Sequence, residues 1–403
     1  MQRKPTVNIG VVGHVDHGKS TLVKALTGVW TARHSEEIKR GMTIKLGFAN
    51  ATFLRCPKDG TYTNQPKCPV CGSNTEFVRA VSFVDSPGHE VLMARMLSGA
   101  AIMDGAVLVI AANETCPQPQ TREHFAALDV IGVRNLVIVQ NKVDVVSRER
   151  AMQNYAEIKQ MVKGTWAEDA PVIPFSALRS INLSALIRAL VEKIPEPVRE
   201  TSKPLRVYVV RSFDINKPGT APEDFAGGVV GGSVLSGVVR IGDKIEILPG
   251  YRRDNKSSFT PLKAVVRGLK SEDLTLESAD PGGLIGIQTD LDPSITKADT
   301  LMGSVIGVAG QLPEPTSELS LQAHVFQRVV GTRDMSALDP IKVGEQIVLA
   351  VGPAIASAVV KSVSKSTLDV RLSRPVVVDP GTRVALARKV QDKWRLTGYG
   401  TLN

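Results

Sequence analysis

The chain has 403 residues, 43% of them hydrophobic, with 49 Lys and Arg against 40 Asp and Glu for a formal charge of +9. That length suits two or three domains with ample core. No apolar run approaches the roughly 18 residues of a membrane helix, and even the most hydrophobic region, Gly99 to Ala112, is interrupted by Asp104. Four cysteines, three of them close together, suit a reducing compartment and a metal site rather than a disulfide framework. The N-terminus enters an apolar strand without a signal core, which gives a cytoplasmic expectation.

In chain order, a β-branched run from Val7 to Val12 ends at Gly13, and Gly13-His-Val-Asp-His-Gly-Lys-Ser20 leads into a helix-compatible segment, Leu22 to Leu26. This is the strand, G-x-x-x-x-G-K-[ST], helix order of a phosphate-binding loop, although alone it also describes a Gly-rich strand-to-helix turn. Its glycines let the backbone of Asp16, His17, Gly18, Lys19, Ser20 and Thr21 fold around an anion. Lys19 reaches the terminal phosphates, and the Ser20 hydroxyl can ligate Mg²⁺. Next comes the polar segment Arg40-Gly-Met-Thr-Ile44, which offers Thr43 as a second Mg²⁺ ligand and can order around the terminal phosphate.

A turn-rich insertion at 55–73 carries Cys56-Pro-Lys-Asp59 and Cys68-Pro-Val-Cys71. Two pairs with this spacing have the form of a zinc knuckle in which Asp replaces one ligand. Three thiolates with Asp59 can close a tetrahedral Zn²⁺ site; a knuckle that keeps its turns without the metal is the alternative. Cys116, in a Pro-rich loop, is read as an ordinary thiol.

Three further fragments each end a predicted strand: Asp85-Ser-Pro-Gly-His89 after Ala80–Val84, Asn141-Lys-Val-Asp144 after Leu136–Gln140, and Ser176-Ala-Leu178 after Pro171–Phe175. Singly each is weak; in this order with the phosphate loop they spell a GTPase. Asp85 is expected to reach the metal through water, and the Gly88 amide to sense the terminal phosphate. Loss of that phosphate then releases both segments as a switch. The Asp144 carboxylate can accept two hydrogen bonds from guanine, whereas adenine would leave an acceptor unpaired at a cost of roughly 1–3 kcal/mol. Asn141 is expected to hold the loops together, Lys142 to cover a base face, and the Ser176–Ala177 backbone, with Leu178 completing the motif, to donate to the guanine carbonyl. His89 stands where the attacking water must be oriented, flanked by the apolar Val15 and Met42, which would restrain it until a partner moves them.

From residue 7 to about 194, strands alternate with helical patterns at Glu90–Gly99, Thr121–Gly132, Arg148–Lys163 and Leu183–Lys193, the pattern of a mostly parallel sheet with flanking helices. Ligands bind at the carboxyl ends of such strands, where the fragments lie. A linker, Pro195 to Pro204, breaks the pattern, and short β-branched runs between glycine turns follow, predicting all-β barrels. A second break lies at Gly310 to Glu318, and Ile341 to Gly352 echoes Val239 to Gly250, as if two barrels shared one construction. The predicted domains are thus an α/β GTP-binding domain at 1–198 and barrels at 205–312 and 317–403. From Lys361 onward nine Lys and Arg face three Asp, a balance that suits either a solvated surface or a polyanion such as RNA.

Gly13-His-Val-Asp-His-Gly-Lys19, Asp85-x-Pro-Gly-His89 and Asn141-Lys-Val-Asp144, followed by two barrels, resemble the translational GTPases built like elongation factor Tu. The knuckle insertion, His34 to Lys45, Ala111-Ala-Asn-Glu114, Pro117 to His124, Arg211 to Thr220 and Leu291 to Asp299 narrow the resemblance to the gamma-subunit family of archaeal translation initiation factor two. The short N-terminus adds the expectation of the archaeal form. The resemblance implies a GTP-dependent carrier of methionylated initiator tRNA to the small ribosomal subunit and its mRNA complex. It also implies a heterotrimer, with an alpha subunit on the second domain and a beta subunit on the GTPase domain, and no membrane. Its Mg²⁺ contacts map onto Asp16, Ser20, Gly41 and Thr43. Asp59 in place of a knuckle cysteine and Ser86 in place of Ala or Thr depart from the family pattern. Rival readings are a selenocysteine-specific elongation factor, which usually carries a further C-terminal extension, and the GTPase subunit of sulfate adenylyltransferase, which lacks the cysteine insertion.

Overall fold

A computed structural model of the chain describes residues 3–31, 46–87, 93–217, 219–252, 258–331, 337–364 and 366–402. The first part is a seven-stranded sheet built from β1 (Val7–Gly13), β2 (Gly47–Arg55), β3 (Tyr62–Thr63), β4 (Glu76–Asp85), β5 (Gly105–Ala111), β6 (Leu136–Asn141) and β7 (Val172–Pro174), in the order β3-β2-β4-β1-β5-β6-β7. β4, β1, β5, β6 and β7 run parallel, while β2 pairs antiparallel with both β4 and β3. Every residue of β1, β5 and β6 is buried, because helices cover both faces of a parallel sheet and leave no polar side to alternate with.

The helices are α1 (Lys19–Thr27), α2 (Met93–Ala100), α3 (Pro119–Ile131), α4 (Arg148–Val162) and α5 (Leu183–Lys193). Gly28 and Gly132, both left-handed, end α1 and α3, and Ser147 caps α4 by accepting from the Arg150 amide. The parallel strands and the helices match the alternation expected from the sequence, while β2 and β3 are strands it did not predict. β4 begins at Glu76 rather than Ala80, because antiparallel pairing with β2 carries it back into the knuckle insertion.

Two antiparallel barrels follow. In the first, β8 (Arg206–Phe213), β9 (Val229–Ser236), β11 (Lys244–Tyr251), β12 (Thr260–Ser271), β15 (Ile285–Thr289) and β16 (Val305–Val308) close through the β11–β12 pairing; β10 (Val239–Arg240), β13 (Leu274–Leu276) and β14 (Ser278–Ala279) are short additions. In the second, β17 (Thr316–Val325), β18 (Gln346–Val351), β19 (Ala354–Val363), β20 (Thr367–Val376), β21 (Arg383–Val390) and β22 (Lys393–Leu402) form a closed ring. Each barrel has its own apolar interior, one centred on Val207, Ile247 and Ile287, the other on Leu321, Leu349 and Val370.

The sequence echo between the barrels is an echo of hydrogen bonds. The Arg240 amide donates to the Asp243 carboxylate and the Lys342 amide to the Glu345 carboxylate. Left-handed Gly242 and Gly344 then donate to Val266 and Val360 of the pairing strand, which donate back to Asp243 and Glu345. The same turn thus starts β11 and β18.

By compactness the chain divides into 1–197 with 326–338 and 389–397, and 198–325 with 339–388 and 398–403. Within the first unit Arg395 reaches Glu123 of α3: Arg395 Nη1 lies 3.1 Å from Glu123 Oε2, and the Leu396 amide donates to Oε1 at 3.2 Å. Glu123 is fully buried and Arg395 nearly so, so the pair supplies counter-charge and hydrogen bonds in one place.

Candidate nucleotide-binding site

The loop from β1 to α1 is shaped by two glycines. Gly13 has φ 141°, and a Cβ there would sit 2.3 Å from the Val109 carbonyl oxygen; Gly18 has φ 90°, and a Cβ there would sit 2.4 Å from Asn141 Nδ2. Only glycine allows this approach of loop to sheet. Gly18 gives α1 no side-chain cap, which leaves its first-turn amides and the positive end of the helix to an anion. Asp16, at φ 60°, and Lys142, at φ 62°, hold left-handed conformations, a strain typical of binding loops.

Lys19 is 7% exposed and its Nζ donates to the His14 carbonyl. Burial pushes its ammonium down to about 8 against the opposing pull of Asp85 and Asp16. Fully buried Asp85 accepts at Oδ2 from Ser20 Oγ at 2.7 Å and from Thr31 Oγ1 at 2.6 Å. Two hydroxyls and a carboxylate therefore converge beside the loop, a hard-oxygen donor set that fits Mg²⁺. His17 is buried, with Nδ1 3.0 Å from the Val109 carbonyl and Nε2 3.4 Å from Glu114 Oε2; the bond to His17 holds the Glu114 carboxyl below its usual range.

Asn141 spans the site. Its Nδ2 donates to the His17 carbonyl at 2.9 Å and its Oδ1 accepts from the Ala177 amide at 3.0 Å, joining the phosphate loop to the Ser176–Leu178 turn. Ser176 and Ala177 are buried, while Leu178 is exposed. The Asp144 side chain is largely covered, 3.4 Å from Arg179 Nε. Lys142, Asp144, Ser176 and Ala177 thus lie on the turns after β6 and β7, beside the phosphate loop after β1. Thr21 and Val15 are half-buried on the loop and α1. Gly41, Met42, Thr43, Gly88 and His89 lie outside the described residues.

Three residues of the site were missed by sequence reasoning. Thr31 has no motif of its own, and Glu114 lies in the Ala-Ala-Asn-Glu run. His124, from α3, accepts at Nδ1 from the Gly13 amide at 2.9 Å; burial pushes it down to about 3, which keeps the ring neutral and able to accept. Cys116 is half-buried, with its thiol pushed up to about 12 by burial, in line with an unreactive thiol.

The knuckle is two copies of one turn. The Cys56 amide donates to the Thr61 carbonyl and Gly60 donates back to Cys56, while Cys68 with Ser73 and Gly72 repeats the pattern. The turns bring one ligand atom each from Cys56, Asp59, Cys68 and Cys71 within 4.8 Å of one another. The Thr61 amide, 2.9 Å from Asp59 Oδ1, holds that carboxyl well below the usual range, so it is ionised at neutral pH. Three thiols and a carboxylate fit the ligand chemistry of Zn²⁺, and none of the cysteines is in a disulfide.

A phosphate loop at the carboxyl ends of a parallel sheet, an Asn-Lys-x-Asp turn beside it and two barrels later in the chain define a translational GTPase, and residues 4–196 match the family described as the elongation factor Tu GTP binding domain. Residues 317–402 match a second, described as initiation factor eIF2 gamma, C terminal. The chain is 53% identical over 407 residues to translation initiation factor 2 subunit gamma of Methanothermobacter thermautotrophicus, covering 100% of both. It is 54% identical to that of Archaeoglobus fulgidus, covering 99% of this chain and 94% of the other. The chain belongs to the translation initiation factor 2 gamma-subunit family and acts in initiation.

Among solved structures, elongation factor SelB from Methanococcus maripaludis, in complex with a GTP analogue, superposes with a TM-score of 0.73 at 22% identity over 100% of this chain and 80% of that one. A bacterial selenocysteine-specific elongation factor gives 0.75 at 23% identity over 98% of this chain, which spans 58% of that longer protein. These share the fold.

Proposed function

We propose that this chain is a GTP-dependent carrier of methionylated initiator tRNA to the small ribosomal subunit, with GTP hydrolysis as its conformational switch. The observation that carries this reading is the Asn141 bridge: one side chain ties the phosphate loop to the turn beside the base-reading Asp144, so phosphate and base are held in one frame. Lys19 and the amides from Asp16 to Thr21 bind the phosphates, Asp144 and Lys142 select guanine, and the Ser176–Leu178 turn closes over the base. Ser20 and Thr43, and by family likeness Asp16 and Gly41, would hold Mg²⁺, with Asp85 reaching it through water; when bound, the ion would neutralise charge on the phosphates. Gly88 senses the terminal phosphate, and His89 orients the attacking water once Val15 and Met42 yield. Hydrolysis by the chain alone is then slow, as in GTPases that gain about 10⁵-fold from an activator.

Cys56, Asp59, Cys68 and Cys71 hold structural Zn²⁺, which pins the insertion where few apolar contacts could. The working parts are the GTPase domain at 1–198 and barrels at 205–312 and 317–403. The chain works in the cytoplasm, bound to alpha and beta subunits of the same factor. Filter binding tests the carrier reading. Methionylated initiator tRNA should be retained with GTP in preference to GDP, and over uncharged or elongator tRNA; equal retention in both nucleotides overturns it.

A further inference from the structure

Five of the nine Lys and Arg from Lys361 onward pair with carboxylates, four of them with residues from earlier in the chain. Lys361 and Arg371 pair with Glu318, Arg388 with Glu345, Arg395 with Glu123, and Lys389 with Asp392. Arg374 is different. It lies in β20, largely buried, and its polar contacts among the described residues are Nη1 to the Met302 carbonyl at 3.2 Å and a place 5.7 Å from the Phe259 ring centre. Its Nε is buried without an acceptor. Arg252 stands 5.8 Å from the same ring. Neither guanidinium has a carboxylate partner among the described residues, and Asp299, next to Thr300, is spent on Arg211 Nε at 2.8 Å and the Ser212 amide at 3.1 Å.

These groups line a cavity of about 450 Å³ with Tyr251, Thr300 and Ser373. Burial, and secondly the like charge of Arg252, lower the Arg374 pKa, and no carboxylate among the described residues pairs with either guanidinium in the cavity. The buried Arg374 nitrogen costs stability unless an acceptor comes to it, and an anion would serve. Guanidiniums suit phosphate oxygens, and aromatic walls suit bases, the combination that binds single-stranded nucleic acid. We propose that Arg252, Phe259 and Arg374 form a phosphate-binding site for a single-stranded RNA segment, separate from the guanine-nucleotide loop. A backbone phosphate would lie between the two guanidiniums, relieve their repulsion and take the idle Arg374 Nε–H, with Tyr251 beside the adjoining base. The cavity has room for about one nucleotide.

The test uses the full chain saturated with GDP and Mg²⁺, titrated with fluorescein-labelled hexauridylate and followed by anisotropy. Arg252→Gln and Arg374→Gln should each weaken binding at least about fivefold and make the log–log salt dependence shallower by about 0.7, the share of one phosphate contact on a single strand. Arg267→Gln, at an exposed arginine outside the cavity, should change affinity less than about twofold. Arg252 is on the exposed rim, so its variant carries the test even if Arg374→Gln fails to fold. Three outcomes overturn the proposal: no hexauridylate binding, an unchanged affinity in Arg252→Gln, or an equal loss in Arg267→Gln. Competition with inorganic phosphate and with AMP separates the sources of phosphate; tighter binding of either than of hexauridylate also overturns the RNA assignment.

Discussion

Asn141→Ala would remove both halves of the bridge between the phosphate loop and the turn at Ala177. The two bonds, 2.9 Å to the His17 carbonyl and 3.0 Å from the Ala177 amide, are buried, and each contributes about 0.5–1.5 kcal/mol. Without them the loops must be ordered by the nucleotide itself, so about 1–3 kcal/mol is drawn from binding, or about 5- to 140-fold in Kd. Asn141→Asp keeps an acceptor for Ala177 but sets a carboxylate against the His17 carbonyl, so it should lose at least as much. Fluorescence titration with N-methylanthraniloyl-GDP in saturating Mg²⁺ measures both. An Asn141→Ala affinity within threefold of the parent would refute the bridge as the element that organises the site.

Asp144→Asn should shift preference from guanine toward xanthine nucleotides, because an amide donates where the carboxylate accepted; unchanged GTP affinity would remove Asp144 from base reading. Lys19 gives a pH signature. Its folded pKa of about 8 lies below its ordinary value, so below pH 8 it is charged and binding is insensitive to its titration; above pH 8 phosphate binding must first protonate it. GDP affinity should fall about tenfold from pH 7 to pH 9, and a flat profile, or the same slope in Lys19→Met, counts against this. Glu123→Gln leaves Arg395 with a neutral partner in a buried place and should cost about 3–5 kcal/mol, read as a lower thermal midpoint and partly recovered by Arg395→Met in the same chain. Elemental analysis should find about one zinc per chain, lost with the Cys68→Ser change, while below about 0.2 the knuckle is a metal-free turn pair.

The parallel strands and the loops of the GTP-binding part were legible because each rests on local chemistry, whereas the antiparallel β2 and β3 were not. Glycines at 13 and 18 permit the loop, β-branched runs mark buried parallel strands, and Asn141 ends its strand with Asp144 three residues on. The turn shared by β11 and β18 was legible for the same reason, since its bonds run between residues two or three apart and one neighbouring strand. What stayed hidden depends on contacts remote in sequence. His124 meets Gly13 and Glu123 meets Arg395 across separations of 111 and 272 residues, so no window on the sequence joins them. Thr31 reaches Asp85 across 54 residues with no motif to announce it. The surplus of positive charge near the C-terminus misled in the opposite sense. The partners Glu318, Glu345 and Glu123 come from earlier in the chain, so a local tally overstated the field and did not single out Arg374, which has no carboxylate partner among the described residues.

Adjacent positions on α3 are fastened in different directions: Glu123 to the strand bearing Arg395, and His124 to the first amide of the phosphate loop. Neighbouring residues of a helix project about 100° apart, so α3 cannot roll about its own axis without breaking one fastening or the other. It is an axle locked against twist. Whatever travels through it when the nucleotide changes must do so as a slide or a tilt of the whole rod, and a crosslink that permits tilting but bars sliding would tell which.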